Sequence, residues 1–228
     1  MRVPLLSLAV AASAFAQPVT FGVRAGMPLT DFISTVQNLR VSGILNVLPG
    51  FQSNTRPYIL GPTIELRLPA GLGVELDALY RRTNYSGIDA TTNGLNTITT
   101  TISSTSANAW EFPLLLKYRF HTPVVKPYVD AGFAWDTLAG LKQSIRQTIT
   151  TAFTTTNGTS LGSSTPAELH KKGTSGFVMG AGVDIHAAVI HLSPEVRYTH
   201  WGSPHFEDPA GLVTSNQSQA EFLLGITF

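Results

Sequence analysis

The sequence contains no cysteine, which excludes a disulfide framework, a thiolate metal site and a cysteine nucleophile. Charged residues are scarce at 13% of the 228 residues, about half of the share usual in soluble domains. The formal net charge is only +1, so nothing in the charge favours nucleic acid as a partner. No run of eighteen apolar residues is present, and a membrane-spanning helix is therefore not expected. A chain with few charges and no helical span has the composition typical of a membrane β-barrel.

The first residues have the pattern of a secretory signal peptide. Met1 and Arg2 form a short positive start, residues 3–14 are apolar or small apart from Pro4, and Ala14-Phe15-Ala16 is a small-residue cleavage site. We therefore expect residues 1–16 to be a signal peptide and residues 17–228 to be one domain. The pattern is of the bacterial secretory type, and we expect it to direct the mature protein to the periplasm.

Beyond Gln17, apolar and polar residues alternate in segments of about ten residues. In the last segment the alternate positions Ala220, Phe222, Leu224, Ile226 and Phe228 are all apolar. A period of two indicates a strand with two different faces. Eight such segments occur, and the connections between them are alternately long and short. The pattern predicts an all-β fold, an eight-stranded antiparallel up-and-down transmembrane β-barrel with short periplasmic turns and long extracellular loops.

Two of the long connections have a Thr/Ser-rich composition. We expect residues 82–108 to form a surface loop or hairpin extension and residues 136–175 to form the longest loop. Pro62 interrupts an otherwise regular strand and suggests a β-bulge, because proline cannot donate to the ladder. Such polar segments carry no recognisable binding code, so the sequence names no loop ligand.

Ionised residues concentrate on one face of the predicted strands. Charge at a lipid-facing midplane position costs about 2–4 kcal/mol for Arg or Lys, so this face is assigned to the lumen. Its seven bases and eight acids are Arg24, Glu65, Arg67, Glu75, Asp77, Arg81, Glu111, Lys117, Arg119, Lys126, Asp130, Asp184, Glu195, Arg197 and Glu221.

The interior of an eight-stranded barrel is just wide enough for side chains. Unpaired buried charge is very unfavourable, so we predict a salt-bridged polar core rather than an open pore. Across the seam between the first and last strands, we expect Arg24 to pair with Glu221. A narrow, gated path for ions or water remains the alternative interpretation of the same residues.

Aromatic residues cluster at both ends of the predicted strands. The loop-side belt comprises Tyr80, Trp110, Trp135, Tyr198 and Trp201, and the turn-side belt comprises Phe21, Tyr118, Phe120 and Phe228. Two such belts are typical of proteins that cross a membrane.

Taken together, the eight alternating segments, the charged lumen and the terminal Phe228 resemble the OmpA/OmpX-type outer-membrane β-barrel domain family. The stretches at residues 126–135 and 192–201 are similar to strands common in that family. The resemblance implies an outer-membrane location and contact with outer-membrane lipid and lipopolysaccharide. It also implies that Phe228 is the assembly signal read by the barrel-assembly machinery. We expect a monomer, and because no peptidoglycan-binding segment follows the barrel, a cell-wall tether is not implied.

One set of residues could carry chemistry. His191, Ser193 and Glu195 share a face, and lipid A deacylase barrels use a His/Ser/Glu set. Residues two apart on a strand are about 6.5–7 Å apart, however, and these lie near the periplasmic turn rather than the outer leaflet. The six histidines show no metal-ligand spacing. We therefore expect no enzyme, no catalytic residue, no metal site and no cofactor.

The sequence thus predicts a structural or surface-interaction protein that acts through its long exposed loops. A narrow ion or small-solute pore and a lipid A-modifying barrel enzyme are the alternatives.

Overall fold

A computed structural model describes residues 19–35, 47–53, 56–93, 97–122, 125–151, 153–187, 190–207 and 213–228. The predicted signal peptide lies outside the described residues. The strands are β1 (Val19–Pro28), β2 (Ile33–Thr35), β3 (Val47–Ser53), β4 (Ile59–Arg67), β5 (Leu72–Asp77), β6 (Leu79–Asn93), β7 (Thr97–Arg119), β8 (Val125–Thr150), β9 (Thr155–Ser163), β10 (Gly173–Ala187), β11 (Ile190–Trp201), β12 (Val213–Ser215) and β13 (Ser218–Thr227). No helix within these ranges is long and apolar enough to cross a membrane.

Antiparallel pairing closes the main sheet into a ring. Within the described residues, β1 pairs with β4, β4 with β5 and β6, these two with β7, and β7 with β8. The ring continues through β10, β11 and β13, and β13 pairs back with β1 from Gly22↔Thr227 to Pro28↔Glu221. Because β5 and β6 follow one another along a single strand position between β4 and β7, the ring has eight strand positions. The predicted all-β antiparallel barrel is confirmed.

The two faces of the ring differ in the way the alternation predicts. Apolar side chains on the outer face are exposed, including Phe21, Val23, Leu114, Leu116 and Phe133. The intervening charged side chains are almost all buried inside the ring. Exposed apolar groups all round a closed sheet, with polar groups inside it, are the arrangement of a barrel immersed in lipid.

The ladder is interrupted at Pro62 without the bulge that we expected there. Thr63 pairs with Asp77 and Leu60 with Tyr80, so the register is the same on both sides of the proline. The Ala78 amide donates to the Pro62 carbonyl (3.0 Å). Pro62 has no amide hydrogen and cannot donate a second hydrogen bond to this strand. The ladder is therefore interrupted between β5 and β6.

The long connections after β6 and β8 are mostly strand. β6 and β7 stay paired from Tyr80↔Trp110 to Asn93↔Thr97, which favours the hairpin alternative for residues 82–108. β8 continues to Thr150 and pairs with β9, so the loop predicted over residues 136–175 is wrong for much of its length. We call β3, β9 and the distal parts of β6, β7 and β8 the extension sheet. Its Thr-rich strands follow β-propensity, which the composition argument missed.

A β-bulge on β8 changes which face its side chains occupy. The register shifts between Ser106↔Lys142 and Asn108↔Ala139, and Gly140 has a φ of 60°. A glycine in the left-handed region is the usual residue of this type of bulge. Simple alternation from Leu138 would turn Leu141 outward. With the extra residue, Leu141 is buried inside and Lys142 is exposed outside.

Candidate functional site

The middle of the lumen contains a charge-balanced cluster of three bases and three acids. Arg24 lies 2.5 Å from Glu75 and 2.6 Å from Glu195. The other members are Asp77, Lys117 and Arg197. Arg197 is fully buried and contacts Glu195 (2.7 Å), Asp77 (2.9 Å) and Glu75 (3.3 Å). These contacts join strands that are far apart in the sequence.

A second cluster lies nearer the short turns. Arg119 donates from Nη2 to Glu65 (2.6 Å) and from Nε to Asp184 (3.1 Å). Arg67 is more loosely placed, 3.9 Å from Glu65 and 3.8 Å from Asp184, with its side chain 23% exposed. His191 Nδ1 is 3.2 Å from Asp184. This cluster is also balanced in its Arg and carboxylate charges.

Towards the long-loop end the pairing is sparser. Arg81 pairs with Glu221 at 3.2 Å. Glu111 is buried at this end, whereas Asp130, opposite Lys117 on β7, is buried at the level of the central cluster. Glu111 Oε1 and both Asp130 carboxylate oxygens have no hydrogen-bond partner among the described residues. Buried polar groups normally have such partners. The lumen is therefore polar and well paired in its centre, with two less satisfied carboxyl groups on the wall formed by β7 and β8.

Thirteen of the fifteen residues assigned to the lumen from the sequence have buried side chains. The exceptions are Arg67, which is partly exposed, and Lys126, which is exposed at the start of β8. Lys126 makes no ion pair among the described residues and does not join the clusters.

The predicted pairing of Arg24 with Glu221 is wrong. Arg24 lies opposite Gly225, whereas Glu221 lies opposite Pro28. That offset of four residues corresponds to about 13 Å along the strand. Arg24 instead crosses the lumen to Glu75 and Glu195, and Glu221 pairs with Arg81.

Tyr128 belongs to the central cluster and was not among the predicted site residues. Its hydroxyl donates to Glu195 (2.9 Å), and Lys117 Nζ lies 4.2 Å from its ring centroid. A Cβ at Gly182 would lie 2.5 Å from the Tyr128 hydroxyl, so the glycine makes room for the ring. The alternation did place Tyr128 on the lumen face. It was missed because only ionised residues were selected.

An apolar cap covers the long-loop end of the lumen. We use this name for the buried cluster of Phe32, Ile33, Tyr85, Ala107, Ala109, Leu138, Leu141 and Phe206, against which Leu169 packs. The Tyr85 and Phe206 rings meet edge to face at 5.1 Å, and Arg81 lies 5.2 Å from the centre of the Phe32 ring. Burial raises the pKa of the Tyr85 hydroxyl above its ordinary value. The cap therefore places an apolar layer directly above the ion pairs.

A buried His205–Asp136 pair anchors the cap to the barrel rim. His205 Nδ1 donates to the Lys171 carbonyl (2.8 Å), and Nε2 is hydrogen-bonded to Asp136. The His205 ring also stacks on Phe32 at 5.9 Å. Asp136 accepts from the Thr174 amide (3.1 Å). Sequence reasoning missed this pair, because Asp136 lies in the loop predicted at residues 136–175 and His205 in another of the long connections between alternating segments.

The His191, Ser193 and Glu195 set is not assembled as a catalytic triad. His191 contacts Asp184 and Arg67, whereas Glu195 is held by Arg24, Arg197 and Tyr128. In a catalytic triad, the nucleophile is hydrogen-bonded to its base, and the base is hydrogen-bonded to the group that orients it. The described contacts give these three residues different partners.

Of the predicted belt residues, Trp201 is placed differently. Its side chain is 2% exposed and packs inside the ring with Leu115, Ala134 and Val178. Trp110, Trp135 and Tyr198 are exposed on the outer face, and Tyr80 is half-buried against Trp110 at 5.2 Å. Phe228 is 69% exposed at the turn side, where its amide donates to the Phe21 carbonyl (2.9 Å).

The profile of the family described as "Outer membrane protein beta-barrel domain" matches residues 3–224. The chain therefore belongs to this family of outer-membrane β-barrels, and the resemblance noted in the sequence is confirmed. Membership supports a location in the bacterial outer membrane.

Solved structures with similar folds include OprG of Pseudomonas aeruginosa, which is 14% identical with a TM-score of 0.46 and 92% coverage of each chain. The N-terminal β-barrel domain of Pseudomonas aeruginosa OprF is 13% identical with a TM-score of 0.37, and 93% of this chain and 98% of that chain are covered. Ail, the attachment invasion locus protein of Yersinia pestis, is 10% identical with a TM-score of 0.32, at 92% and 94% coverage. No significant match was found among curated protein sequences.

Proposed function

We propose that this protein is a closed outer-membrane barrel with a structural or surface-interaction role carried by the part of the chain above the membrane. The observation that carries the proposal is the filling of the lumen. Two balanced ion-pair clusters occupy its centre and turn side, and the apolar cap lies over its long-loop end. A barrel interior blocked in this way leaves the exposed segments as the functional part of the molecule.

The extension sheet supports the second half of the proposal. β8 runs fifteen residues beyond Trp135, which is about 50 Å of strand. Leu161 on β9 is 62% exposed, and Phe153, which lies between β8 and β9, is 98% exposed. Loops and extensions that a rigid scaffold presents are common sites of binding.

Conductance measurements test the closed barrel. Purified protein inserted into planar bilayers should give a flat baseline, because the ion pairs and the cap obstruct the lumen. Discrete current steps in the folded protein would contradict the proposal and favour the pore alternative.

Trimming tests the role of the extension sheet. Tyr85 lies opposite Thr105, so an Asn-Gly turn can join them and remove residues 86–104; such turns suit two-residue hairpins. Tyr85 and the rest of the cap are retained. Surface binding by whole cells should fall for the trimmed protein while its heat-modifiable gel mobility persists, and undiminished binding would exclude the β6–β7 part of the extension sheet from this role.

One observation favours the pore as a second candidate function. The Glu111 and Asp130 carboxyl groups face the lumen without a full set of hydrogen-bond partners among the described residues, and buried carboxyl groups need water or a cation as partners. They define a polar strip along β7 and β8. Replacing Asp130 with asparagine should change any cation selectivity seen in the bilayer, and the absence of current in both proteins would remove this candidate.

We assign no catalytic role to the lumen residues. The separate partners of His191 and Glu195 support this assignment. Expression of the protein should leave the lipid A mass unchanged, and a change that disappears on Ser193→Ala would restore the enzyme alternative.

A further inference from the structure

Just above the loop-side aromatic belt, the outer face of the barrel carries basic side chains on β6 and β8. Arg82 follows Tyr80 by two residues on β6, and Lys142 lies on β8 opposite Ser106. Both side chains are exposed. The strand alternation had left Arg82 beyond a strand end, but β6 continues through it to Asn93.

Lys171 lies beside β8 at nearly the same register level as Arg82. Gly173 pairs with Thr137, and the Lys172 carbonyl accepts from the Leu138 amide (2.7 Å), so Lys171 reaches the level of Ala139. On β7 and β6, the residues paired at that level are Asn108 and Arg82. We call Arg82, Lys142 and Lys171 the cationic row. It crosses three strand intervals, about 14 Å. Arg82 and Lys171 lie about 7 Å along the strands above the level of Tyr80 and Trp110, and Lys142, opposite Ser106, lies about 13 Å above it.

No carboxylate balances the row on its own face. Among the described residues, the outward positions of β6, β7 and β8 above the belt are Asn, Ser, Thr, Ala, Ile, Gly, Arg or Lys. The nearby acids are engaged elsewhere: Asp136 is buried against His205, and Glu168 accepts from buried Gln143 (3.2 Å). None of the three cations makes an ion pair among the described residues, in contrast to the bases of the lumen.

A groove adjoins the row at the level of the belt. The open cavity of about 550 Å³ is lined by Trp135, Lys171, Thr174 and Ser203, with Asp136 at its inner wall. The hydroxyls of Thr174 and Ser203 lie 3.0 Å apart. The Lys171 amide donates to the His205 carbonyl (3.2 Å), so the anchor of the cap also holds the groove wall.

We propose that the cationic row and this groove bind the phosphorylated headgroup of a lipid in the outer leaflet. Arg82 and Lys142 lie on the same outer face as the aromatic belt, and Trp135, exposed on that face, lines the groove together with Lys171. Lys and Arg bind phosphate oxygens by charge-assisted hydrogen bonds. The sugar part of a phosphorylated glycolipid can meet the Trp135 ring and the hydroxyls.

The bulge at Gly140 is what creates the row on β8. It turns Leu141 into the cap and Lys142 towards the lipid headgroups in a single step. Closure of the lumen and lipid binding therefore share one backbone feature.

The test is a titration of the folded protein in detergent with diphosphorylated lipid A and with the same lipid lacking its phosphates, followed by native mass spectrometry. The probe variant combines Arg82→Gln, Lys142→Gln and Lys171→Gln. Lys126→Gln, exposed at the opposite membrane face, and Arg146→Gln, about 13 Å further up β8, are the matched controls. All five positions are exposed, so folding should persist, and heat-modifiable gel mobility verifies it.

Wild-type protein should bind the phosphorylated lipid at least tenfold more tightly than the dephosphorylated one. Each cation near a charged lipid surface contributes about fivefold, so the triple variant should lose on the order of a hundredfold. Both controls should stay within twofold. Equal binding of the two lipids, or wild-type affinity in the triple variant, would overturn the proposal. A row that binds a soluble sulfated glycan but not the lipid would overturn it as well.

Discussion

Replacement of Arg197 by methionine tests the energetic role of the central cluster. The guanidinium is fully buried, and its three partners Glu75, Asp77 and Glu195 lie within 3.3 Å. Without it, three carboxylates face only Arg24 and Lys117, and one negative charge loses its compensation. Breaking a buried pair by removing one partner costs about 3–5 kcal/mol.

The measurement is urea unfolding of the protein in lipid vesicles, followed by tryptophan fluorescence and gel mobility. Arg146→Met is the matched control, because that side chain is exposed on the extension and surface changes usually stay within about 0.5 kcal/mol. Arg197→Lys keeps the charge but loses the planar guanidinium that reaches three carboxylates, so we expect an intermediate loss. If Arg197→Met unfolds at the same urea concentration as Arg146→Met, the cluster does not stabilise the barrel.

Three further changes test other parts of the molecule. Leu114→Arg puts a charge on the lipid-facing surface and should cost about 2–4 kcal/mol in vesicle unfolding, whereas Thr150→Arg on the extension should be nearly neutral; equal effects would contradict the orientation of β7. Gly140→Val places a β-branched residue at a φ of 60° and should loosen the cap, seen as faster amide exchange around Leu141 and Phe206; unchanged protection would show that the bulge tolerates it. Phe228→Ala should lower the yield of assembled barrel in cells, since we assign Phe228 as the assembly signal, while refolding in detergent stays normal; full assembly in cells would refute that assignment.

Sequence reasoning reached the extension sheet only in part. The Thr-rich composition of residues 136–175 suggested a loop, yet β8 and β9 pair across Ile145↔Leu161 and Thr150↔Thr155. Threonine is polar enough for a loop and β-branched enough for a strand. Hydrophobic alternation is absent where neither face of a sheet is buried, so the sequence pattern could not distinguish a strand from a loop.

The cap also lay beyond prediction. Phe32, Leu141 and Phe206 come from three different connections, and none of them stands in an alternating segment. Only the closed ring brings those connections over one opening. Trp201 was assigned to the belt because it stands at the loop-side end of its strand. It lies three positions after the outward-facing Tyr198, so the alternation turns it inward, where it packs against Leu115 and Val178.

The sequence by itself determined the number of strand positions in the barrel and the face on which nearly all of the predicted lumen charges lie. A period of two assigns every strand residue to lipid or lumen, and the cost of a charge in lipid decides which face is which. The tertiary structure decided which acid pairs with which base in the lumen. The stagger between neighbouring strands sets which residues share a height in a closed barrel, and it brings Arg24 to Glu195 while it carries Glu221 to Arg81. One local insertion at Gly140 reversed the alternation on β8, and only the paired neighbour β7 shows it.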